Sequence, residues 1–79
     1  MFEVGKLYRD KKNGAILGLV EIDKGGDFIF LVLQDDKDSY YSDVNGYVGL
    51  FNEDAKECLE TYEGDEGLLK MFKSKEIRL

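Results

Sequence analysis

Six apolar residues, Phe28 to Leu33 (FIFLVL), run without interruption through the middle of the chain. A strand with one wet face alternates apolar and polar positions. An unbroken run bounded by turn residues, and too short for a helix, predicts a strand covered on both faces, at the centre of a sheet or in the wall of a thin barrel. The surrounding pattern predicts its neighbours. Phe2 to Tyr8 reads as a first strand, with Phe2 and Val4 on one face. Lys11-Lys12-Asn13-Gly14 follows as a turn, and its Asn-Gly pair suits a type I′ hairpin, which needs positive φ at both central residues. Ala15 to Ile22 is the next strand; Gly18 inside it marks a bulge or a close crossing. Gly25-Gly26, flanked by Asp23, Lys24 and Asp27, closes a second hairpin onto the apolar run. Two glycines between two strands do not make a phosphate cradle, which leads into a helix and carries a lysine.

After Leu33 the acidic stretch Gln34 to Asp38 turns the chain into a strand from Ser39 to Val44, placing Tyr40 and Tyr41 on opposite faces with one toward solvent. Asn45-Gly46 repeats the hairpin pattern and introduces a short strand, Tyr47 to Phe51. The expected fold is a single α+β domain over residues 1–79: an antiparallel meander of five strands, curled into an SH3-like or partly open barrel, with one main C-terminal helix. That helix begins at Asn52, an N-cap residue followed by Glu53 and Asp54 at the positive end of the helix dipole. Ala55, Cys58, Leu59 and Tyr62 form its apolar stripe and Gly64 its stop. Past Asp65-Glu66-Gly67, residues Leu68, Leu69 and Phe72 fit a short helix, with a strand as the alternative, and Glu76 to Leu79 a further strand.

Size and composition narrow the classes. A chain of 79 residues buries only roughly 60% of its unfolded surface, so its stability is expected to be modest. At 43% apolar residues, with five Tyr and five Phe, it nevertheless has a globular composition. One cysteine and no histidine leave no internal disulfide and no zinc site of the usual Cys/His kind. Met1 to Leu7 mixes charged and apolar residues, unlike a signal peptide, and no apolar run approaches the roughly 20 residues that span a bilayer. The expectation is a soluble, cytoplasmic protein. The net charge of −6 is unevenly spread: Met1 to Lys24 holds five basic and four acidic residues, Gly25 to Gly67 two basic and twelve acidic, and Leu68 to Leu79 four basic and one acidic. An acidic middle repels nucleic acid and membrane surfaces and attracts basic partners.

Catalytic chemistry finds no purchase in these residue types. Cys58 has no histidine to act as its base and falls on the apolar stripe of an acidic helix, so a buried structural thiol is expected. Asp35, Asp36, Asp38 and Asp43 lack the alternation, glycine and terminal glutamate of a calcium-binding loop. Paired carboxylates need a cleft that a domain this small seldom builds. No enzyme activity, cofactor or metal is therefore expected. Glu53, Glu57 and Glu60 stand at i, i+4 and i+7 on the polar face of the expected helix, rising about 6 and then 4.5 Å along its axis. Carboxylates at such intervals approximate the spacing of backbone phosphates, as a protein needs to fill a basic nucleic-acid groove. The same spacing is equally that of an ordinary solubilising helix face.

Leu33-Gln34-Asp35-Asp36, Tyr40-Tyr41, Gly49-Leu50, Tyr62 with Gly64, and Leu68-Leu69-Lys70 stand in an order that resembles the small phage-encoded uracil-DNA glycosylase inhibitors. The resemblance spans Phe28 to Leu79; Phe2 to Ile22 has no counterpart, and Cys58 stands where that family carries an anchoring helix phenylalanine. It implies an antiparallel sheet with one helix, a homodimer, and a protein that blocks the DNA-binding groove of a glycosylase by mimicking DNA. Together the readings nominate a non-catalytic inhibitor of a nucleic-acid-binding enzyme. Asp35, Asp36, Asp38, Glu53, Glu57 and Glu60 supply charge, and Tyr40 or Tyr41 an apolar anchor. The alternative is a structural or accessory domain that assembles through a sheet edge and exposed tyrosines.

Overall fold

The computed structural model describes residues Phe2 to Glu76. Five strands form one antiparallel sheet: β1 (Leu7–Asp10), β2 (Ile16–Ile22), β3 (Phe28–Gln34), β4 (Tyr47–Leu50) and β5 (Leu59–Thr61). Helix α1 (Asn52–Cys58) lies between β4 and β5, and α2 (Glu66–Glu76) follows β5. The strand order is β4-β3-β2-β1-β5, so β4 and β5 are the two edges and no ladder joins them. The β2–β3 register shifts between Ile16 and Leu17 and again between Leu19 and Glu21. Such irregularities bend a strand and increase its twist, and the domain is correspondingly isotropic, with extents of 28, 27 and 26 Å.

The apolar run of β3 is buried from both sides. Phe28 and Phe30 join Tyr8, Leu17, Leu19, Ala55 and Leu59 in one cluster, which Phe2, Val32, Tyr40, Val48 and Leu50 border. Leu31 points the other way, with Leu7, Ile16 and Phe72, bordered by Leu33, Leu68 and Leu69 among others. Strand alternation thus assigns α1 and Tyr40 to one face of the sheet and α2 to the opposite face. The first cluster is rich in rings: Phe2 stacks on Tyr8 and Phe28 at centroid distances of 4.5 and 5.0 Å, while Phe30 meets Phe28 edge-on at 6.0 Å. In the second, the Phe72 ring lies directly over Gly18; a Cβ there would stand 2.6 Å from the ring. Of the two alternatives expected at the glycine in β2, the close crossing is the one found; Gly18 keeps regular register with Leu31, and the shifts lie on either side of it.

Several expected elements are corrected. The first strand begins at Leu7, not Phe2; Phe2 is half-buried against the core and Val4 is exposed. Ser39 to Val44 is not a strand. The Asp35 carboxylate accepts the amides of Ser39 (2.9 Å) and Tyr40 (2.8 Å), so those backbone donors are satisfied by a side chain rather than by a ladder. Neither Asn-Gly pair is type I′: Gly14 and Gly46 have φ of 81° and 89°, but Asn13 and Asn45 do not have positive φ. Asn13 instead accepts the Ala15 amide through Oδ1, and Asp43 accepts those of Asn45 and Tyr47.

The helix expected to run from Asn52 to the Gly64 stop ends at Cys58, and Leu59–Thr61 becomes β5, paired with β1. Ala55 and Leu59 are both buried as their spacing requires; Leu59 reaches the core from a strand, where it gives β1 a partner for its otherwise empty edge. Cys58 is consequently exposed, not a buried thiol. Nor does Asn52 cap the helix. Phe51 is the N-cap and makes no side-chain capping bond, while the Asn52 side chain donates to the Gly26 carbonyl at 2.8 Å. The main helix is α2, initiated by Asp65, whose Oδ1 accepts the Leu68 amide at 3.0 Å. Leu68 to Phe72 is helical, as is Glu76; the rest of the strand expected over Glu76 to Leu79 lies outside the described residues.

The Gly18 contact yields a test. Gly18→Ala pushes a methyl into a fully buried ring, an overpacking that costs about 1–3 kcal/mol. A lowered urea midpoint with an unchanged m value is expected, and Phe72→Leu in the same chain should recover part of the loss.

Candidate functional site

The long connection between β3 and β4 sends Tyr40 to the face that carries α1, and one buried acid ties it to the end of β1 there. Asp10, at the end of β1, is only 6% exposed. Its Oδ1 accepts the amides of Lys12 (2.8 Å) and Asn13 (3.2 Å), the usual use of an aspartate that opens a turn. Its Oδ2 accepts the Tyr40 hydroxyl at 2.5 Å, from thirty positions further along the chain. Burial pushes the Asp10 carboxyl up. The hydrogen bonds from Tyr40, Lys12 and Asn13 outweigh it and hold the group below its ordinary value of 3.8. Burial, followed by the hydrogen bond to Asp10 and the Asp10 charge, raises the Tyr40 phenol well above its ordinary value of 10.0, with smaller electrostatic contributions from Cys58 and Asp35. Tyr40 is thus a permanently protonated donor to a permanently ionised acceptor across the physiological range.

Asp10 pairs with Leu59 across the β1–β5 ladder, and the Lys11 amide donates to the Cys58 carbonyl at 2.9 Å. Tyr40 therefore docks beside the C-terminal end of α1. From that anchor the loop presents Tyr41, which is 99% exposed, and Val44, which is 100% exposed. Two tyrosines on opposite sides, one toward solvent, were expected from their adjacency, and this holds although the segment is not a strand. At the other end of α1, the Asn52 amide donates to Asp27 Oδ1 at 2.9 Å, binding the helix start to the β2–β3 hairpin.

The nominated charged residues divide into three groups. Asp36 and Asp38 are exposed in the loop, and Glu53 and Glu57 are exposed on α1. Asp35 is half-buried and holds the loop together through its two amide contacts. Glu60 is not on the helix at all. It sits in β5 opposite Arg9, whose Nε and a terminal nitrogen reach Glu60 Oε2 at 3.1 and 2.7 Å. Because Leu59 points into the α1 face, Glu60 points to the α2 face, and the regular axial spacing expected for Glu53, Glu57 and Glu60 does not exist. The Arg9–Glu60 pair is a half-exposed cross-strand contact worth about 0.2–1 kcal/mol.

Sequence reasoning missed two residues of this face. Asp10 had a readable signal, an aspartate directly before a Lys-Lys-Asn-Gly turn, but nothing local announces its bond to Tyr40. Phe51, assigned to a strand, is instead a 69% exposed ring at the start of α1. On the opposite side, the start of β1, the segment after β5 and α2 enclose an open groove of about 250 Å³ lined by Lys6, Leu7, Tyr62, Glu66, Leu69 and Lys73 among others. Among the described residues no group of three or more His, Cys, Asp or Glu side chains is arranged to hold a metal ion, and no helix is long and apolar enough to cross a membrane.

The Asp10–Tyr40 bond predicts a pH-dependent stability. A carboxyl whose folded value is depressed contributes stability that is present above its unfolded value and is lost as pH falls through the folded one. Tyr40→Phe removes a hydrogen bond to a charged group, a loss of about 1.5–3 kcal/mol. In urea unfolding the gap between wild type and variant should be full at neutral pH and shrink below pH 3.8. Wild type alone should lose stability as pH rises past 10.0, where unfolded Tyr40 ionises and folded Tyr40 does not. No family model, no curated protein and no solved structure matches this chain.

Proposed function

We propose that the protein is a non-catalytic binding protein whose α1 face occupies the basic, nucleic-acid-binding surface of a DNA-processing or defence enzyme, a uracil-DNA glycosylase being the first to examine. The observation that carries the reading is the presentation of Tyr41. A fully exposed ring, with exposed Val44 nearby, projects from a loop otherwise pinned by Asp35 and by the Tyr40–Asp10 bond. A loop rigid at its base loses little entropy when its tip is captured, and a large exposed apolar ring beside unpaired carboxylates suits a partner that offers cations around an apolar recess. The charges available for this are Asp36, Asp38, Glu53 and Glu57. Asp35 and Glu60 act instead through the fold, and Tyr40 positions the loop.

A second reading is assembly of the chain with copies of itself or with a larger complex. Edge strand β4 favours it, since Tyr47–Leu50 carries no charged residue to discourage pairing. The two readings respond oppositely to salt: an electrostatic complex weakens as ionic strength rises, and an apolar strand-edge assembly persists.

The test is inhibition of purified uracil-DNA glycosylase on a uracil-containing duplex, with fluorescence anisotropy for affinity. Reversal of Asp36, Asp38, Glu53 and Glu57 to lysine should leave the fold intact by circular dichroism and reduce affinity at least roughly tenfold, mainly through a slower association rate. Equal inhibition by the reversed protein removes the acidic face from the mechanism. Absence of inhibition by the wild type removes the glycosylase as the target.

A further inference from the structure

Phe51 is the least economical side chain in the fold. It occupies the N-cap of α1, a position where Ser, Thr, Asp or Asn would satisfy a free helix amide, yet it makes no capping bond. Nor does its ring find cover: it is 69% exposed. Neither local structure nor core packing accounts for it, and large aromatics left outside both are the residues that anchor interfaces. Its backbone is held on both sides. The Phe51 carbonyl accepts the Ala55 amide at 3.0 Å, and the next residue, Asn52, is bound to Asp27 and to the Gly26 carbonyl. Ile22, 44% exposed, closes the same end of the sheet through the register Ile22↔Phe28↔Leu50.

We infer that Phe51 is a second apolar anchor of the α1 face, seated in an apolar recess of a protein partner whose rim is basic; the inference rests on the binding role proposed above. Charge selects this occupant over a second copy of the chain. Glu53 and Asp54 follow the ring after Asn52, Glu57 lies one turn further, and none of the three has an ionic partner among the described residues. Two copies brought together through this surface would oppose their own carboxylates, whereas lysines or arginines around the recess would pair with them. Helix α1, seven residues long, separates Phe51 from the Tyr40–Tyr41 end by about 10 Å. Phe51 and the Tyr40 anchor of the loop thus stand at opposite ends of a short acidic helix, and the apolar anchor, rather than the number of charges, sets which basic partner is accepted.

The test needs no knowledge of the natural partner. Binding of the whole protein to fluorescent oligolysine and to a lysine–leucine peptide of equal charge is compared at low salt. Wild type should prefer the lysine–leucine peptide roughly tenfold, the effect of one well-placed apolar anchor. Phe51→Ser should reduce the preference severalfold, to what Tyr41 alone retains, while leaving oligolysine affinity unchanged, and should keep or raise Tm because serine can cap the helix. Phe51→Leu should retain most of the preference, which separates a lost anchor from a damaged fold. If wild type binds both peptides equally, or if Phe51→Ser keeps the preference, the anchor inference is overturned and the basic-partner reading stands. If wild type binds neither peptide, the basic-partner reading falls and takes the anchor with it.

Discussion

Everything in this domain answers to the need to cover both faces of β3. A strand with apolar side chains on both sides cannot lie against water, and 79 residues leave little chain with which to shield it. One face receives Phe2, the Tyr40 loop and α1, and the other receives α2. The second cover fits only because β2 carries glycine where the Phe72 ring crosses it. A side chain at that position would lift α2 from the sheet and open the smaller of the two clusters. The larger cluster has a different keystone: Tyr40 enters it from a loop with no ladder of its own, and the ionised Asp10 keeps it there. Burying that carboxylate is unfavourable alone, and three hydrogen bonds to Oδ1 and Oδ2 make it a net support for the loop.

The chain's acidity has two origins that composition cannot separate. Asp10, Asp23, Asp27, Asp35, Asp43 and Asp65 each accept backbone amides at turns or helix starts. Apart from Asp27, whose amide partner Asn52 is distant in the chain, these residues are aspartates because a short carboxylate can reach its own neighbouring amides. Their charge is a by-product of how the chain turns. Asp36, Asp38, Glu53, Asp54 and Glu57 have no such employment. All five belong to the β3–β4 loop and α1, while Glu21, Glu63 and Glu66 are exposed on other segments and, among the described residues, likewise have no side-chain partner. In the binding role proposed above, Tyr41 and Phe51 would supply the apolar contribution, because exposed carboxylates alone provide attraction without selectivity.

Much of the fold was legible where the relevant physics is local. The β2 and β3 strands, the hairpin between them and the position of β4 follow from apolar runs and turn residues. The notch at Gly18 was readable as a glycine inside a strand. The amphipathic spacing of Leu68, Leu69 and Phe72 fits α2, with a strand left open as the alternative, and an α+β fold with an antiparallel sheet follows from the same patterns, although the strand expected over 39–44 is a loop and β5 lies where helix was expected. The site was less legible. Tyr41 and the acids at 36, 38, 53 and 57 are exposed as their sequence context suggests, whereas Glu60 lies on a strand rather than the helix and Phe51 opens α1 rather than ending a strand. The Glu60 difference comes from the periodicity of residues 55–62. Ala55 and Leu59 must both be buried, and a helix or a helix followed by a strand satisfies that requirement equally.

The amino-acid sequence by itself determined the elements whose hydrogen bonds close within a few residues or between adjacent strands: the hairpins, the two-sided strand, the helix start at Asp65 and the aspartate-capped turns. Tertiary structure alone decided the rest. Leu59–Thr61 is a strand because β1, fifty-one residues earlier in its Arg9–Glu60 pair, has an edge to fill. Residues 39–44 are a loop because Asp35 captures their amides and Asp10 captures Tyr40. The partners β1 and Asp10 are remote in sequence and adjacent only in the folded chain, while Asp35 acts locally, four and five residues before the amides it accepts. The free energy of satisfying buried polar groups and unpaired strand edges then overrides the preference that the local pattern expresses.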